Sequence, residues 1–404
     1  MRGCIVPSTP DRKRARQQDE SPDPEPGVGV VGFDVVHTES SLGWGGQEIR
    51  ILSESRGMIE RGHRVRLLCP REARIYHEAS RFNVPVEALP IGRKNLRGLS
   101  AMLRWMRRHR ESALPYVFNT HSSTDSWLVA LSGALLGNHV PIVRTRHISA
   151  PVPGNWPTRW LYTSAAEKVV TTGEALRKQL IADVGLPSHR VISVPTGIDT
   201  RLYVPGARTE CRGKLGLPSD MILVGIVATL RSWKGHRYLV EAIAGMPSNI
   251  GLVIVGDGPQ KEAIEALVLA RNLSQRAWMP GNQVDVLPWL QALDIFALPS
   301  YANEGVPQAL IQAMLVGLPC VTTAAGSIGE IAIPDRTALV VPAESVQPLS
   351  DAILRLSNDE QLCASLGAAA RGHCLQNYSL TKMLDSMESV FAACVTQESN
   401  DARN

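Results

Sequence analysis

Short hydrophobic runs recur along this chain, each closed by a polar or glycine-bearing loop and most followed by a helical pattern. The first series of strand-like runs is Val30–Val36, Val65–Cys69, Val86–Leu89, Tyr116–Asn119, Pro141–Thr145, Val169–Thr171 and Val191–Val194. Alternation of this kind predicts a parallel sheet with helices on both faces. The turn-rich segment Asp199–Pro218 reads as a linker. A second series then runs through Ile222–Ala228, Leu252–Val255, Asp294–Leu298, Cys320–Thr323 and Leu339–Val341. Two similar α/β domains in tandem place a ligand cleft between them. The boundaries expected are a disordered tail over 1–27, a first domain over 28–200, a second over 201–378 and a final helix with its tail over 379–404. That helix, Leu380–Val395, carries Met383, Met387, Val390, Phe391 and Cys394 on one stripe and needs a surface to pack on.

The stretch Leu298–Glu330 holds the densest chemistry. Strand Asp294–Leu298 ends in Pro299-Ser300, and the following loop carries Glu304. Pro307 suits the first helical position, where its missing N–H costs nothing. Leu310, Ala313, Met314 and Gly317 share a face, and Gly317 with Pro319 stops the helix. First-turn amides at Gln308 and Ala309 favour an anion. Gln308 and Gln312, four apart, lie on one face. A loop carboxylate, helical amides and polar side chains thus meet at the carboxyl end of a strand, where open α/β sheets bind ligands. A phosphorylated, hydroxyl-rich ligand suits them.

Composition narrows the class. The chain has 404 residues, 44 % hydrophobic and 20 % charged, enough for two globular domains. Net charge is only +4, which implies no general attraction to nucleic acid. Seven scattered cysteines, with no C-x-x-C pair, suggest neither a disulfide framework nor zinc. No apolar run approaches the roughly 18 residues that span a bilayer, and no apolar signal core begins the chain. A cytoplasmic location is the expectation. The tail combines a basic cluster, Arg12 to Arg16, with the acidic, proline-rich SPDPEPG.

Five further motifs stand at strand exits or on helices. Gly43-Trp44-Gly45-Gly46-Gln47-Glu48 follows the first strand; it is either a phosphate-approaching turn at a helix start or simply a tight turn. His121 and His147 follow strands of the first sheet, each a candidate hydrogen-bonding or acid–base group against a satisfied structural role. Arg93–Arg110 reads as a basic amphipathic helix with Leu99, Met102, Leu103 and Met106 on its apolar face. It either lies on an anionic membrane or is an ordinary surface helix. Thr229-Leu230-Arg231-Ser232-Trp233-Lys234-Gly235 sets Arg231 and Lys234 at a strand exit, ready for a diphosphate. Gly256-Asp257-Gly258-Pro259 reads as a tight turn that brings backbone close to a ligand.

In order and spacing, TLRSWKG, GDGP, and the run from Asp285 through Glu304 to GSIGE resemble the retaining glycosyltransferases of family 4, with the GT-B fold, over about residues 28–397. The resemblance implies two Rossmann-like parallel-sheet domains facing a central cleft, with a C-terminal helix returning to the first domain. It implies a nucleotide-sugar donor, UDP- or GDP-linked, held mainly by the second domain, and an acceptor hydroxyl on a glycan or lipid-linked molecule held mainly by the first. It implies no metal and no separate cofactor. By position, Glu304 matches the carboxylate that meets the donor sugar, Lys234 the phosphate-binding lysine, and Gly45-Gly46 the turn near the diphosphate. His147 matches the histidine near the reacting sugar, with His121 a second candidate. Two positions depart from the pattern. Gln312 stands where the family has a ribose-binding carboxylate, and Thr229 where it has an arginine, for which Arg231 is a candidate replacement.

The expectation is therefore retaining transfer in polysaccharide or cell-envelope assembly, peripheral to the membrane if the basic helix binds it. A non-catalytic nucleotide-sugar-binding partner and a nucleotide-sugar epimerase are the alternatives.

Overall fold

The computed structural model describes residues 32–109, 114–137, 140–148, 152–302 and 304–401. The tail over 1–27 and Arg110 lie outside the described residues. The first sheet is built from β1 (Asp34–Thr38), β2 (Arg64–Cys69), β3 (Val86–Ala88), β4 (Tyr116–Thr120), β5 (Ile142–Arg146), β6 (Lys168–Thr171) and β7 (Val191–Ser193). The second is built from β8 (Ile222–Val227), β9 (Ile250–Val255), β10 (Ala277–Gly281), β11 (Ile295–Leu298), β12 (Cys320–Thr322) and β13 (Leu339–Val340). Every pairing within them is parallel. Their orders are β3-β2-β1-β4-β5-β6-β7 and β10-β9-β8-β11-β12-β13. In each, the winding reverses beside the first strand, between β1 and β4 and between β8 and β11, which opens a crevice at the carboxyl edge. Strands buried on both faces explain the unbroken hydrophobic runs, as in the fully buried Ile250–Val255. These are two Rossmann-like domains.

The C-terminal helix runs from Leu380 to Asp401 and packs on the first sheet. Met383, Met387, Val390, Phe391 and Cys394 are buried with Val35, Val65, Val117, Val143 and Val170. Gly197 lets this helix approach: a Cβ there would lie 2.4 Å from the carbonyl oxygen of Ser379.

Several local expectations are corrected. β1 ends at Thr38, two residues beyond the predicted Val36, so His37 is a strand residue. Pro307 is the residue before the helix, with extended ψ, and the helix starts at Gln308. The predicted linker contains a helix, Arg208–Leu215. Its anchor is not an apolar stripe but the buried Arg212, which donates to the carbonyls of Ala292, Ser219 and Met221 and to Asp294. Hydrophobic periodicity cannot register such an anchor. β10 escaped prediction for a similar reason: it is a half-buried edge strand that contains Pro280.

The basic segment forms a helix over Leu96–Arg108, capped by Asn95, whose side chain accepts from the Gly98 amide at 2.8 Å. Met102, Trp105 and Met106 are buried in the domain core, with Leu99 packed against them. The apolar face is thus occupied, and Arg97, Ser100, Arg104, Arg107, Arg108 and the tip residue Leu96 face outward. Among the described residues no helix is long and apolar enough to cross a membrane.

Candidate functional site

The carboxyl edges of the two sheets meet. The Gln308 side chain donates to the carbonyl of Gly46 at 2.5 Å, and the Val306 amide to the carbonyl of Thr172 at 3.1 Å. Glu330 accepts at 2.8 Å from the amides of both Glu174 and Ala175, at the start of the first-domain helix Glu174–Val184. Two glycines permit this approach, and a third lines it. A Cβ on Gly173 would overlap the Ser327 hydroxyl, one on Gly305 the Thr172 hydroxyl, and one on Gly46 would touch Gln308.

At the exit of β8 the chain makes a short 3-10 turn, Ser232–Lys234, ended by Gly235 in the left-handed region at φ +77. A side chain at 235 would collide with the carbonyl of Pro299, so this glycine lets the β8 and β11 exit loops touch. The contact carries Lys234 to Glu304: its Nζ lies 2.7 Å and 3.0 Å from the two carboxylate oxygens. Both side chains are largely buried. Arg231 is exposed, its guanidinium 5.4 Å above the Trp233 ring. Thr229 faces the glycine turn of the first domain, its methyl 3.6 Å from where a Gly45 Cβ would stand. Gly46, Gln308, Gly45 and Thr229 are therefore brought together, as are Lys234 and Glu304.

Gln312 and Ala309 lie on the helix Gln308–Leu315. Gln312 is buried and donates from Nε2 to the Tyr203 hydroxyl at 2.9 Å. Tyr203 lies in the segment between the sheets, outside every motif of the sequence. Burial raises its hydroxyl pKa to about 12, so it stays a neutral donor and acceptor. Gly256 and Gly258 have a packing explanation. Their φ values of +145 and +156 suit glycine, and Cβ atoms there would strike the carbonyl oxygens of Ala228 and Leu230. They hold the β9 exit against the β8 exit.

His121 and His147 are joined. His121 Nδ1 stands 2.9 Å from His147 Nε2. A third imidazole, His37, continues the row, with its Nδ1 2.9 Å from His121 Nε2. All three sit at the ends of the neighbouring strands β1, β4 and β5. Burial is the main cause that lowers every one of them, His37 to about 3 and the other two well below the ordinary histidine value. The row is neutral at physiological pH.

Beside the Gly43–Gly46 turn lies an acidic group of which only Glu48 falls within that motif. Glu39 accepts from the Ser41 amide at 2.7 Å, from the Ser122 hydroxyl at 2.5 Å and from Gln47. Asp125 accepts from Thr38 at 2.7 Å and from the amides of His121 and Ser122. Burial first, then the charge of Glu39, raises Asp125 to about 7; burial likewise raises Glu39 and Glu48. The signal for them was available: carboxylates directly after a buried strand and in the first turn of two helices.

Comparison with known proteins places this architecture. Residues 44–202 match the family described as Glycosyltransferase Family 4, and residues 207–373 the family described as Glycosyl transferases group 1. The chain is 30% identical over 306 residues to the D-inositol 3-phosphate glycosyltransferase of Corynebacterium aurimucosum, over 68% of this chain and 72% of that protein. The chain belongs to the family 4 glycosyltransferases. A putative teichuronic acid biosynthesis glycosyltransferase of Bacillus subtilis, TuaC, is 33% identical over 172 residues, covering 41% of each protein. In fold, this glycosyltransferase superposes on HepE of Anabaena, solved in complex with UDP-glucose, with a TM-score of 0.78 at 19% identity, over 89% of this chain and 99% of that one. The GT-B fold expected from the sequence is thus the fold observed.

Proposed function

We propose that this glycosyltransferase moves a sugar from a UDP- or GDP-sugar to an acceptor hydroxyl with retention and without a metal ion. The observation that carries the reading is the Lys234–Glu304 pair at the meeting point of two strand exits. A cation and a carboxylate held there by Gly235 match the two demands of a nucleotide-sugar: a diphosphate to neutralise and sugar hydroxyls to hold.

In the proposed reaction the bond from the anomeric carbon to the diphosphate oxygen breaks, and the acceptor oxygen bonds to that carbon from the same face. The acceptor's proton passes to an oxygen of the departing diphosphate. Lys234, Arg231 once it swings from Trp233, and the first-turn amides of Gln308 and Ala309 stabilise the charge that develops there. Such preorganised electrostatics is commonly the largest catalytic term. Glu304 holds sugar hydroxyls, Gln312 the ribose, and His147 with His121 the side of the sugar that faces the first domain. Gly45, Gly46 and Thr229 wall the diphosphate, while Gly256 and Gly258 shape its loop. The inter-domain contacts exclude water and limit donor hydrolysis.

The acceptor is proposed to be a glycan or lipid-linked molecule of cell-envelope assembly, met in the cytoplasm or at the inner membrane face. The outward arginines of the helix Leu96–Arg108 support an electrostatic contact with anionic lipid. Incubation with a panel of nucleotide sugars, scored by thermal stabilisation and then by the anomeric proton signals of donor and product, tests this reading. An inverted anomer, or loss of turnover in a chelator, removes retention or metal independence. Binding without transfer or hydrolysis would favour a non-catalytic module. An isomerised donor formed without acceptor would favour an epimerase.

A further inference from the structure

The imidazole row has two ends of different chemistry. At one end His147 lies beside the second domain: its carbonyl accepts from the Thr172 hydroxyl at 3.2 Å and stands 3.2 Å from the Cβ position of Gly305, the residue after Glu304. At the other end His37 Nε2 is fully buried, has no hydrogen-bond partner among the described residues, and faces Glu54 Oε1 at 4.0 Å. Glu54 also accepts from the Asn119 amide at 3.1 Å, and Asn119 in turn accepts from Thr145.

Burial raises the carboxyl pKa of Glu54, and the charge of Arg50 and the Asn119 side-chain amide oppose that shift. What keeps Glu54 ionised is the buried arginine beside it. Arg50, one helical turn away, is 1 % exposed and lies 3.5 Å from Glu54 Oε2. Its guanidinium cannot lose its proton, and Glu54 is the only carboxylate paired with it among the described residues. A buried arginine requires that negative charge.

A neutral row of three imidazoles has only two proton arrangements, because each N···N contact holds a single proton. In one, every proton lies on an Nε2, pointing from His147 through His121 to His37 and on towards Glu54. In the other, every proton lies on an Nδ1, and His37 turns a lone pair towards the carboxylate. Coulomb repulsion in a buried site disfavours the second.

We propose that Glu54 and His37 are positioning residues which, through His121, hold His147 as the Nε2–H tautomer, so that its Nδ1 offers a lone pair to a sugar or acceptor hydroxyl. The functional half rests on the reading that His147 meets the reacting sugar; the tautomer itself does not. The burial that keeps all three imidazoles neutral is what makes the row a tautomer lock rather than a charge relay.

Histidine-selective 15N labelling of the full chain, with two-bond proton–nitrogen correlation spectra, reads the tautomer directly. His147→Asn assigns the signal. The wild type should show His147 Nδ1 at the lone-pair position. Glu54→Gln, which removes the charge, and His37→Phe, which cuts the row, should each give a mixture of tautomers. In both, kcat should fall by more than about tenfold, as when an imidazole loses its tautomer partner, while donor KM changes little. An Nδ1–H signal for His147 in the wild type overturns the proposal. So does an unchanged tautomer in the two folded variants. Wild-type turnover in His147→Ala would remove instead the reading that His147 meets the sugar, and leave the tautomer result standing.

Discussion

Lys234 holds both carboxylate oxygens of Glu304, at 2.7 Å and 3.0 Å, across seventy positions of sequence. A donor that binds here must insert between the two or take over each partner's bonds. Lys234→Ala should lower kcat/KM by at least about a hundredfold, the scale of a lost transition-state donor. It also leaves Glu304 buried without its cation, at a cost on the order of 3 kcal/mol. Steady-state kinetics beside a circular-dichroism melt separates the effects, and wild-type-like turnover removes Lys234 from the mechanism.

Gln312 and Tyr203 test the departure from the family pattern. Gln312→Leu strands the Tyr203 hydroxyl and removes the proposed ribose contact. Donor KM should rise about tenfold, in the range of one or two lost hydrogen bonds, with kcat nearly unchanged. Gln312→Glu restores a charged acceptor and should lower donor KM. If KM is indifferent to both, the glutamine does not hold the ribose.

Gly326 supports the Glu304 loop. It sits at φ +58, and the Ser327 amide donates to the Glu304 carbonyl at 3.2 Å. In Gly326→Ala the left-handed backbone alone costs about 1–2 kcal/mol. The added Cβ also meets that carbonyl, at 2.1 Å. Both the melting midpoint and kcat should fall, whereas Gly329→Ala, where a Cβ meets open space, should leave them nearly unchanged.

Glu330 ties the domains by capping the helix Glu174–Val184. Glu330→Ala exposes two first-turn amides and should cost about 1–2 kcal/mol, the usual worth of an N-cap. Small-angle scattering should record a more open particle. An unchanged scattering profile would show that other contacts alone set the closure.

Asp125 carries a pH signature. Its folded pKa, raised to about 7, exceeds its ordinary value of 3.8, so between those values the native state binds more protons than the unfolded one. Stability from this group is present at low pH and is lost as pH rises towards about 7. Asn at 125 imitates the protonated form, so Asp125→Asn should gain on the wild type between pH 4 and pH 7 in denaturant titrations. His37, held down to about 3, acts oppositely but equally in both proteins and cancels from the difference. A constant difference would show that Asp125 is ionised throughout.

Strand–helix alternation in the sequence determined the parallel two-domain plan, because strands buried on both faces leave short unbroken hydrophobic runs between helical patterns. The chemistry at strand exits was legible for the same reason: Glu304, Lys234, His121 and His147 each follow such a run. The tertiary structure alone decided which of these touch. Lys234 meets Glu304 because Gly235 can adopt a left-handed backbone beneath Pro299. The face of the helix Leu96–Arg108 that could have met a membrane is buried in the core, since periodicity records an apolar face but not what covers it. His37, Glu54 and Arg50 belong to no motif of the sequence. Their partnership depends on strand order, which sets β1, β4 and β5 side by side and lines up three imidazoles that lie far apart in the chain.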